Sequence, residues 1–488
     1  MTERAILVLD AGTTSTRAML YAPDGERIAT AQRDLTQYYP QPGRVEHDAD
    51  EIWDRTLECA RQLVSEAGGP DRIVAIGITN QRETVVVWDR RTGKPLTRAI
   101  VWQDRRTASQ CAALREAGHE AFVQDRTGLI LDPYFSATKM RWMLDEVPAV
   151  AQAGDALALG TVESWLLWKL TGGLHLTDAS NASRTQLMAL DGAGWDEELC
   201  ALFGVPVAAL PGITDNAGDF GTTLPDLLGG PVPIRGLAGD QQAATIGQGC
   251  LSPGAAKATL GTGAFILTPL GEALPRSRHR LLGTVLCQIA GRRLYTLEGS
   301  IFVAGSLIQW LRDRMGMIDR AADTDAIARS VSDNGGVYML PALAGLGAPH
   351  WRPDATARIT GLTHATGRAH IVRAALESIA HQVHDLAGAF AADGAAWKSL
   401  RIDGGMSAND WIAQDMADML DMVVDRPADV ETTARGAAML AAVGAGLFPD
   451  LDSAARMTSP SSRFVPAIEK HRRTERLTRW SDLLTEGR

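Results

Sequence analysis

The sequence predicts an α/β protein of two related domains that face each other across a cleft. Length is the first reason. The chain has 488 residues, beyond the size at which a single core keeps growing, so two domains of roughly 200 to 250 residues are expected. The second reason is a weak internal repeat: the strand Ala5 to Leu9, the turn Asp10-Ala11-Gly12-Thr13-Thr14-Ser15-Thr16-Arg17 and the return strand Ala18 to Tyr21 have a counterpart in Ala255 to Leu260, Gly261-Thr262-Gly263 and Ala264 to Thr268. The third is another glycine-rich turn, Asp403-Gly404-Gly405-Met406-Ser407-Ala408-Asn409, after the strand Ser399 to Ile402. Five prolines from Pro206 to Pro233, with Gly229-Gly230, mark the approach to the boundary. The domains are expected over residues 1–247 and 248–488.

Composition narrows the function. A formal charge of −10 argues against nucleic acid or an anionic membrane as the main partner, because both need a basic face. Hydrophobic content of 45% and charged content of 22% describe an ordinary globular chain. The five cysteines are widely spaced with no CxxC pair, which fits reduced thiols in the cytosol. No signal peptide is visible, and the apolar run near Ala437 to Phe448 is too short to span a bilayer. A cytoplasmic protein with no membrane insertion is expected.

In the opening turn, Gly12 allows a tight bend, the hydroxyls and backbone N–H groups suit phosphate oxygens, Asp10 suits Mg²⁺, and Arg17 adds a charge-assisted contact. Taken alone, the run also reads as an ordinary hairpin. Asp48 with Glu51 resembles a capping box ahead of a helix that Gly68-Gly69 ends. Strands follow at Arg72 to Thr79 and Thr84 to Asp89, with Asn80-Gln81-Arg82-Glu83 between them. An arginine beside a carboxylate between buried strands needs a partner, either each other or a ligand. The strand Ala99 to Trp102 ends on an aromatic residue that reads as core or as ligand wall.

Tyr134 lies in a loop before the helix Ala137 to Asp145, where Lys139 and Arg141 are expected in solvent. A tryptophan-rich helix spans Gly160 to Leu170, and the polar stretch Thr177 to Thr185 has no derivable role. Asp240 opens Gln241-Gln242-Ala243-Ala244-Thr245, where it reads as a helix N-cap or as a reactive carboxylate. Ala304 to Arg314 is a helix carrying Gln309, and Gly335 to Pro341 a strand. The long helix Ala369 to Ala392 carries His381 and His384, expected as solvated surface residues.

The chain has no GxxxxGK[ST] loop and no GxGxxG after a strand. Its three turns, at Asp10, Gly261 and Asp403, follow the order found in two-domain actin-like (ribonuclease H-like) nucleotide-binding proteins. Over nearly its whole length it resembles the FGGY carbohydrate kinase family. The resemblance rests on Asp10 to Arg17, Gly77 to Glu83, Ala99 to Trp102, Gly128 to Lys139, Asn181 to Thr185, Ala238 to Ala243, Gly261 to Phe265, Glu298 to Arg312, Gly345 to Trp351 and Asp403 to Asn409. Within that family, Asn80-Gln81-Arg82-Glu83 and Ala238-Gly239-Asp240-Gln241-Gln242 point to glycerol as substrate.

The resemblance implies ATP-dependent, Mg²⁺-assisted phosphorylation of glycerol to sn-glycerol 3-phosphate. Arg82, Glu83, Trp102, Tyr134, Asp240, Gln241 and Phe265 match the family's polyol contacts, with Asp240 as general base. Thr13, Thr14, Ser15, Arg17, Thr262, Gly305, Gln309, Gly405 and Asn409 match its nucleotide contacts, and Asp10 its metal position. A homo-oligomer (dimer or tetramer) and a hinge between the domains are also implied. Ala11 departs from the usual glutamine and Glu163 from the common aspartate. Pro231 stands where a loop binding fructose 1,6-bisphosphate has arginine, so that inhibition is expected to be absent or weak. Kinases of erythritol or dihydroxyacetone, and a non-catalytic actin-like ATP-binding protein, are the alternatives.

Overall fold

The computed structural model describes residues 4–352, 354–458 and 460–485. Each half is built on its own sheet. The first contains β1 (Ala5–Ala11), β2 (Ser15–Tyr21), β3 (Arg27–Asp34), β4 (Ile73–Asn80) and β5 (Ile234–Gly239), in the spatial order β5-β4-β1-β2-β3. β1 runs antiparallel to β2 and parallel to β4, and it is buried along its whole length, as the continuous apolar run requires.

The second sheet contains β6 (Ala255–Leu260), β7 (Ala264–Gly271), β8 (Leu282–Ile289), β9 (Arg292–Ile301), β10 (Ser399–Asp403), β11 (Val424–Pro427) and β12 (Pro460–Phe464), in the order β8-β9-β7-β6-β10-β11-β12. β6 is antiparallel to β7 and parallel to β10. The internal repeat is thus a repeat of topology: each turn follows a central strand that has one antiparallel and one parallel neighbour.

Register aligns the strand ends. Ala11 pairs with Asn80 and Gly239 with Asn80, while Thr259 pairs with Asp403. The motifs therefore leave the sheets at the carboxyl ends of parallel strands, where open α/β sheets place their ligand crevices. The helix Ala49–Ala67 covers one face of the first sheet; Asp48 caps it from Oδ1, but Glu51 turns away to Thr36, so the box is only half formed.

The other face is covered by the helices Asp240–Gly247 and Thr432–Gly444, the latter from the second half of the chain. They cross at two glycines. A Cβ on Gly247 would lie 1.9 Å from the Thr432 carbonyl oxygen, and one on Gly436 would lie 1.8 Å from that of Ala243. This crossing joins the halves at the base of the cleft. Residues between β4 and β5 form a smaller lobe, with a three-stranded sheet and a core around Val85, Leu131 and Met140.

Several local expectations change. The strand Ala99–Ile100 is two residues long and pairs with Glu46–His47, so Trp102 lies beyond its end. The strand expected from Gly335 contracts to Tyr338–Leu340. Lys139 is fully buried, whereas Arg141 is exposed on Asp145. His381 is also buried, stacked between Tyr338 and Trp480 with centroid distances of 6.2 and 5.3 Å. Burial and the Arg476 guanidinium push its pKa well below the ordinary value, whereas His384 reaches solvent. No helix among the described residues is long and apolar enough to cross a membrane.

Candidate active site

The floor of the cleft is a charge cluster. Arg82, 2% exposed, follows β4, and its Nη1 donates to Glu298 Oε2 at 2.6 Å while its Nη2 lies 3.2 Å from Oε1. Its Nε lies 3.2 Å from Asp240 Oδ1 and 3.8 Å from Glu83 Oε1. The adjacent Glu83 is held instead by Arg184, whose Nε donates at 2.5 Å. Arg82 and Glu83 are therefore neighbours in one network but not each other's main partners. Glu83 adopts φ 62°, a left-handed conformation that turns the two side chains into the same cluster.

Asp240 is the first residue of its helix, and Gly239 occupies the N-cap position. The cap reading therefore fails, since the Asp240 side chain accepts from the adjacent Gln241 N–H, at 2.7 Å to Oδ1, and from no later N–H of the helix among the described residues. Glycine before it is required: a Cβ there would meet Arg82 Cγ at 2.7 Å. Oδ2 has no hydrogen bond among the described residues, and the side chain is 31% exposed to the cleft. Its pKa rises to about 6, through burial and secondarily the charge of Glu83, against the opposing pull of Arg82. Gln241 Oε1 accepts from the buried Lys257 Nζ at 2.7 Å, so one end of that amide is engaged across the cleft.

Both halves supply the aromatic wall. Trp102 and Tyr134 come from the first half and Phe265 from β7, with ring centroids 5.6 Å (Trp102–Tyr134) and 6.3 Å (Trp102–Phe265) apart in edge-to-face geometry. Trp102 Nε1 donates to Thr13 Oγ1 at 2.9 Å, which ties this wall to the opening turn. Lys139 Nζ donates to the carbonyl oxygens of Tyr134 and Phe135 at 2.5 and 3.0 Å. Burial lowers its pKa to about 8.

The turns differ in chemistry. In the first, Gly12 N–H closes on the Ser15 carbonyl at 3.0 Å, and Thr16 points away to Thr56. Arg17 bridges Asp10 (2.5 Å) and Glu431 (2.6 Å), and Asp10 Oδ1 has no partner among the described residues. In the second, Thr262 is exposed and the helix Gly305–Asp313 starts beside it; Gly305 N–H donates to the Gly261 carbonyl at 2.9 Å, and a Cβ on Gly305 would lie 2.5 Å from that oxygen. Gln309 is exposed on that helix. In the third, a Cβ on Gly405 would meet nothing within 4 Å. Asn409 caps the helix Asp410–Leu420, accepting from Ile412 N–H, and donates to Thr324 Oγ1, both at 3.0 Å.

The N-terminal domain of the FGGY family of carbohydrate kinases matches residues 5–247, and its C-terminal domain matches residues 256–445. The chain belongs to the FGGY carbohydrate kinase family. It is 53% identical to the glycerol kinase of Rhodospirillum centenum, over 99% of this chain and 98% of that one, and 52% identical to that of Alcanivorax borkumensis, over 98% and 97%. The structure of Plasmodium falciparum glycerol kinase with ADP superposes with a TM-score of 0.93 at 35% identity, covering 99% of this chain and 98% of that one. A gluconate kinase from Lactobacillus acidophilus shares the FGGY fold, with a TM-score of 0.89 at 21% identity.

Arg184, Glu298 and Lys139 fall inside the stretches that carry the resemblance but receive no role from it, and Lys257 lies outside them. Two signals were present. Glu298 is an isolated carboxylate in a strand of otherwise uncharged residues, Leu294 to Ile301, and Arg184 is the lone charge between Ala179 and Leu190; such a charge inside a buried segment calls for a partner. A cavity of about 830 Å³ beside Arg373, Trp411 and Arg476 has none of these residues in its lining, and Asp415 holds Arg476 there at 2.6 Å.

Proposed function

We propose that the chain transfers the γ-phosphoryl group of ATP to glycerol, giving sn-glycerol 3-phosphate. The observation that carries this reading is the convergence, on one small floor, of a paired arginine, a carboxylate with a free oxygen and three aromatic edges, directly beside the opening turn through Trp102 and Thr13. A three-carbon polyol needs such a pocket: charged partners for its hydroxyls on one side and apolar edges against its carbon frame on the other. The identity to curated glycerol kinases supports glycerol over larger polyols.

In this reading, Arg82, Glu83, Trp102, Tyr134, Gln241 and Phe265 surround glycerol. Asp240 Oδ2 accepts the proton of the attacking hydroxyl, while Arg82 fixes the other oxygen. A base titrating near 6 is ionised at neutral pH yet close enough to it to take a proton. Thr13, Thr14, Ser15, Arg17 and Thr262 line the phosphates, and Gly305, Gln309, Gly405 and Asn409 line the nucleoside. The open space above Gly405 suits close approach of a ligand.

The donor set at Asp10 fits Mg²⁺. One carboxylate with an unpaired oxygen beside a phosphate turn is the sparse ligation that this ion takes when substrate phosphates and water complete its shell. When bound, the ion neutralises charge on the transferring phosphoryl group. Closure of the cleft would exclude water, which competes for that group. A cytoplasmic homo-oligomer completes the reading.

The test is ADP release from ATP with a panel of C3 to C5 polyols, and phosphorus NMR of the product. Glycerol is expected to give the highest rate and a single phosphomonoester. A higher rate with erythritol or dihydroxyacetone would reassign the substrate, and no stimulation by any polyol would leave a non-catalytic nucleotide-binding protein.

A further inference from the structure

We infer that Glu298 and Arg184 form a buried clamp between the two halves that fixes the pose of Arg82 and thereby sets the basicity of Asp240, making both positioning residues for phosphoryl transfer. This rests on the reading of Asp240 as the base. Glu298 stands in β9, opposite Leu267 and Leu282 in the second sheet. Arg184 follows the short helix Ala179–Ala182 of the first half. Both side chains are 0% exposed. Glu298 Oε1 lies 3.2 Å from Arg82 Nη2 and 3.2 Å from Arg184 Nη2, and Oε2 takes Arg82 Nη1.

The arrangement divides the Arg82 guanidinium. Its two terminal nitrogens face Glu298, so only Nε remains for Asp240. Two arginines and two glutamates balance in charge, and Asp240 is a fifth, partly compensated group. The charged groups that face it are Arg82, Glu83 and Lys257. If Glu298 were neutral, Arg82 would turn its full charge on Asp240 and hold its proton-accepting form too strongly. If Arg184 were neutral, Glu83 and Glu298 would both draw on Arg82 and loosen its hold on Asp240. Arg184 also lies over the rings of Tyr134 and Phe135 at 5.4 and 5.2 Å, which braces the aromatic wall. Burial would raise the Glu298 pKa, but Arg184 and Arg82 outweigh it and pull it down to about 2, so Glu298 stays charged throughout the working range.

The test is the pH profile of kcat/KM for glycerol in the native enzyme, Glu298→Gln and Arg184→Gln, with thermal transitions recorded for all three. The clamp predicts opposite displacements. The acid limb moves to lower pH by about one unit in Glu298→Gln and to higher pH by a similar amount in Arg184→Gln, on the scale expected for one nearby charge. A purely structural role would lower activity or melting temperature in both variants without displacing the limbs in opposite directions, and that result overturns the proposal. If Glu298→Gln does not fold, the upward displacement in Arg184→Gln decides alone. Loss of fold in both assigns the pair to stability and also overturns it. Absence of glycerol-dependent turnover in the native enzyme overturns the functional reading and the clamp's role with it, whereas native turnover with unshifted limbs overturns the clamp alone.

Discussion

The charge cluster at the floor of the cleft and the glycine-rich turns proposed to hold nucleotide are built on opposite principles. On the floor, Arg82, Arg184, Glu83 and Glu298 are buried and hold one another. Along the turns at Gly261 and Gly405, the positions matched to nucleotide contacts are glycines and exposed polar residues. Side-chain charges fixed in place suit discrimination among polyols, because a hydroxyl out of register is buried without a partner. Backbone at close quarters suits phosphates, whose shape is common to every kinase substrate pair.

The sharpest break in that contrast is Arg82→Met. It strands Asp240 and half of Glu298, so glycerol turnover should fall by about 10³-fold, and stability by about 3–5 kcal/mol, the range for breaking a buried pair. Unchanged stability, read by denaturant unfolding, would mean that these buried pairs do not support the fold. Next is pH. Because burial raises the Asp240 pKa to about 6, the base is protonated below that value; turnover should fall as pH drops through about 6, approaching tenfold per unit below it. A profile flat down to pH values near 4 would remove Asp240 from proton transfer.

In the third turn, Gly405→Val fills open space without forcing the backbone, so the fold should hold. The KM for ATP should rise about tenfold, or about 1.4 kcal/mol, with the KM for glycerol unchanged. Equal rises in both constants would contradict the separation of the two regions. The smallest effect expected is none. Pro231 is exposed and uncharged after Gly229, and the nearby Arg235 is held by Asp219, so millimolar fructose 1,6-bisphosphate should leave the rate unchanged. Inhibition in an initial-rate assay would show that another surface binds it.

What could be read in the sequence follows the same division. The turns were recognisable because glycine, aspartate and threonine punctuate short apolar strands, and the paired topology of β1/β2 and β6/β7 followed from the repeat. The floor was readable only in part. Arg82, Glu83 and Asp240 have roles that the resemblance implies, but it gives none to their partners Arg184 and Glu298, single charges 101 and 216 residues away from the groups they hold. No local pattern encodes contacts over such separations, and those to Glu298 exist only because the two halves meet. Lys139 looked solvated because lysine in a helix usually is; its amine instead turns back onto the carbonyls of Tyr134 and Phe135, just ahead of its own helix. His381 was misplaced for a similar reason, since Tyr338 and Trp480, which enclose it, come from distant segments.

The central claim is that Asp240 activates a glycerol hydroxyl, and it is tested most directly by comparing glycerol-dependent ADP release in the native enzyme and in Asp240→Asn at neutral pH with both substrates saturating. Asparagine keeps the shape and the contact with Gln241 but cannot accept the proton. The native enzyme should release ADP only when glycerol is present, and the variant should lose about 10²–10⁴-fold in kcat, the usual contribution of a positioned base. A variant with the native kcat would contradict the account.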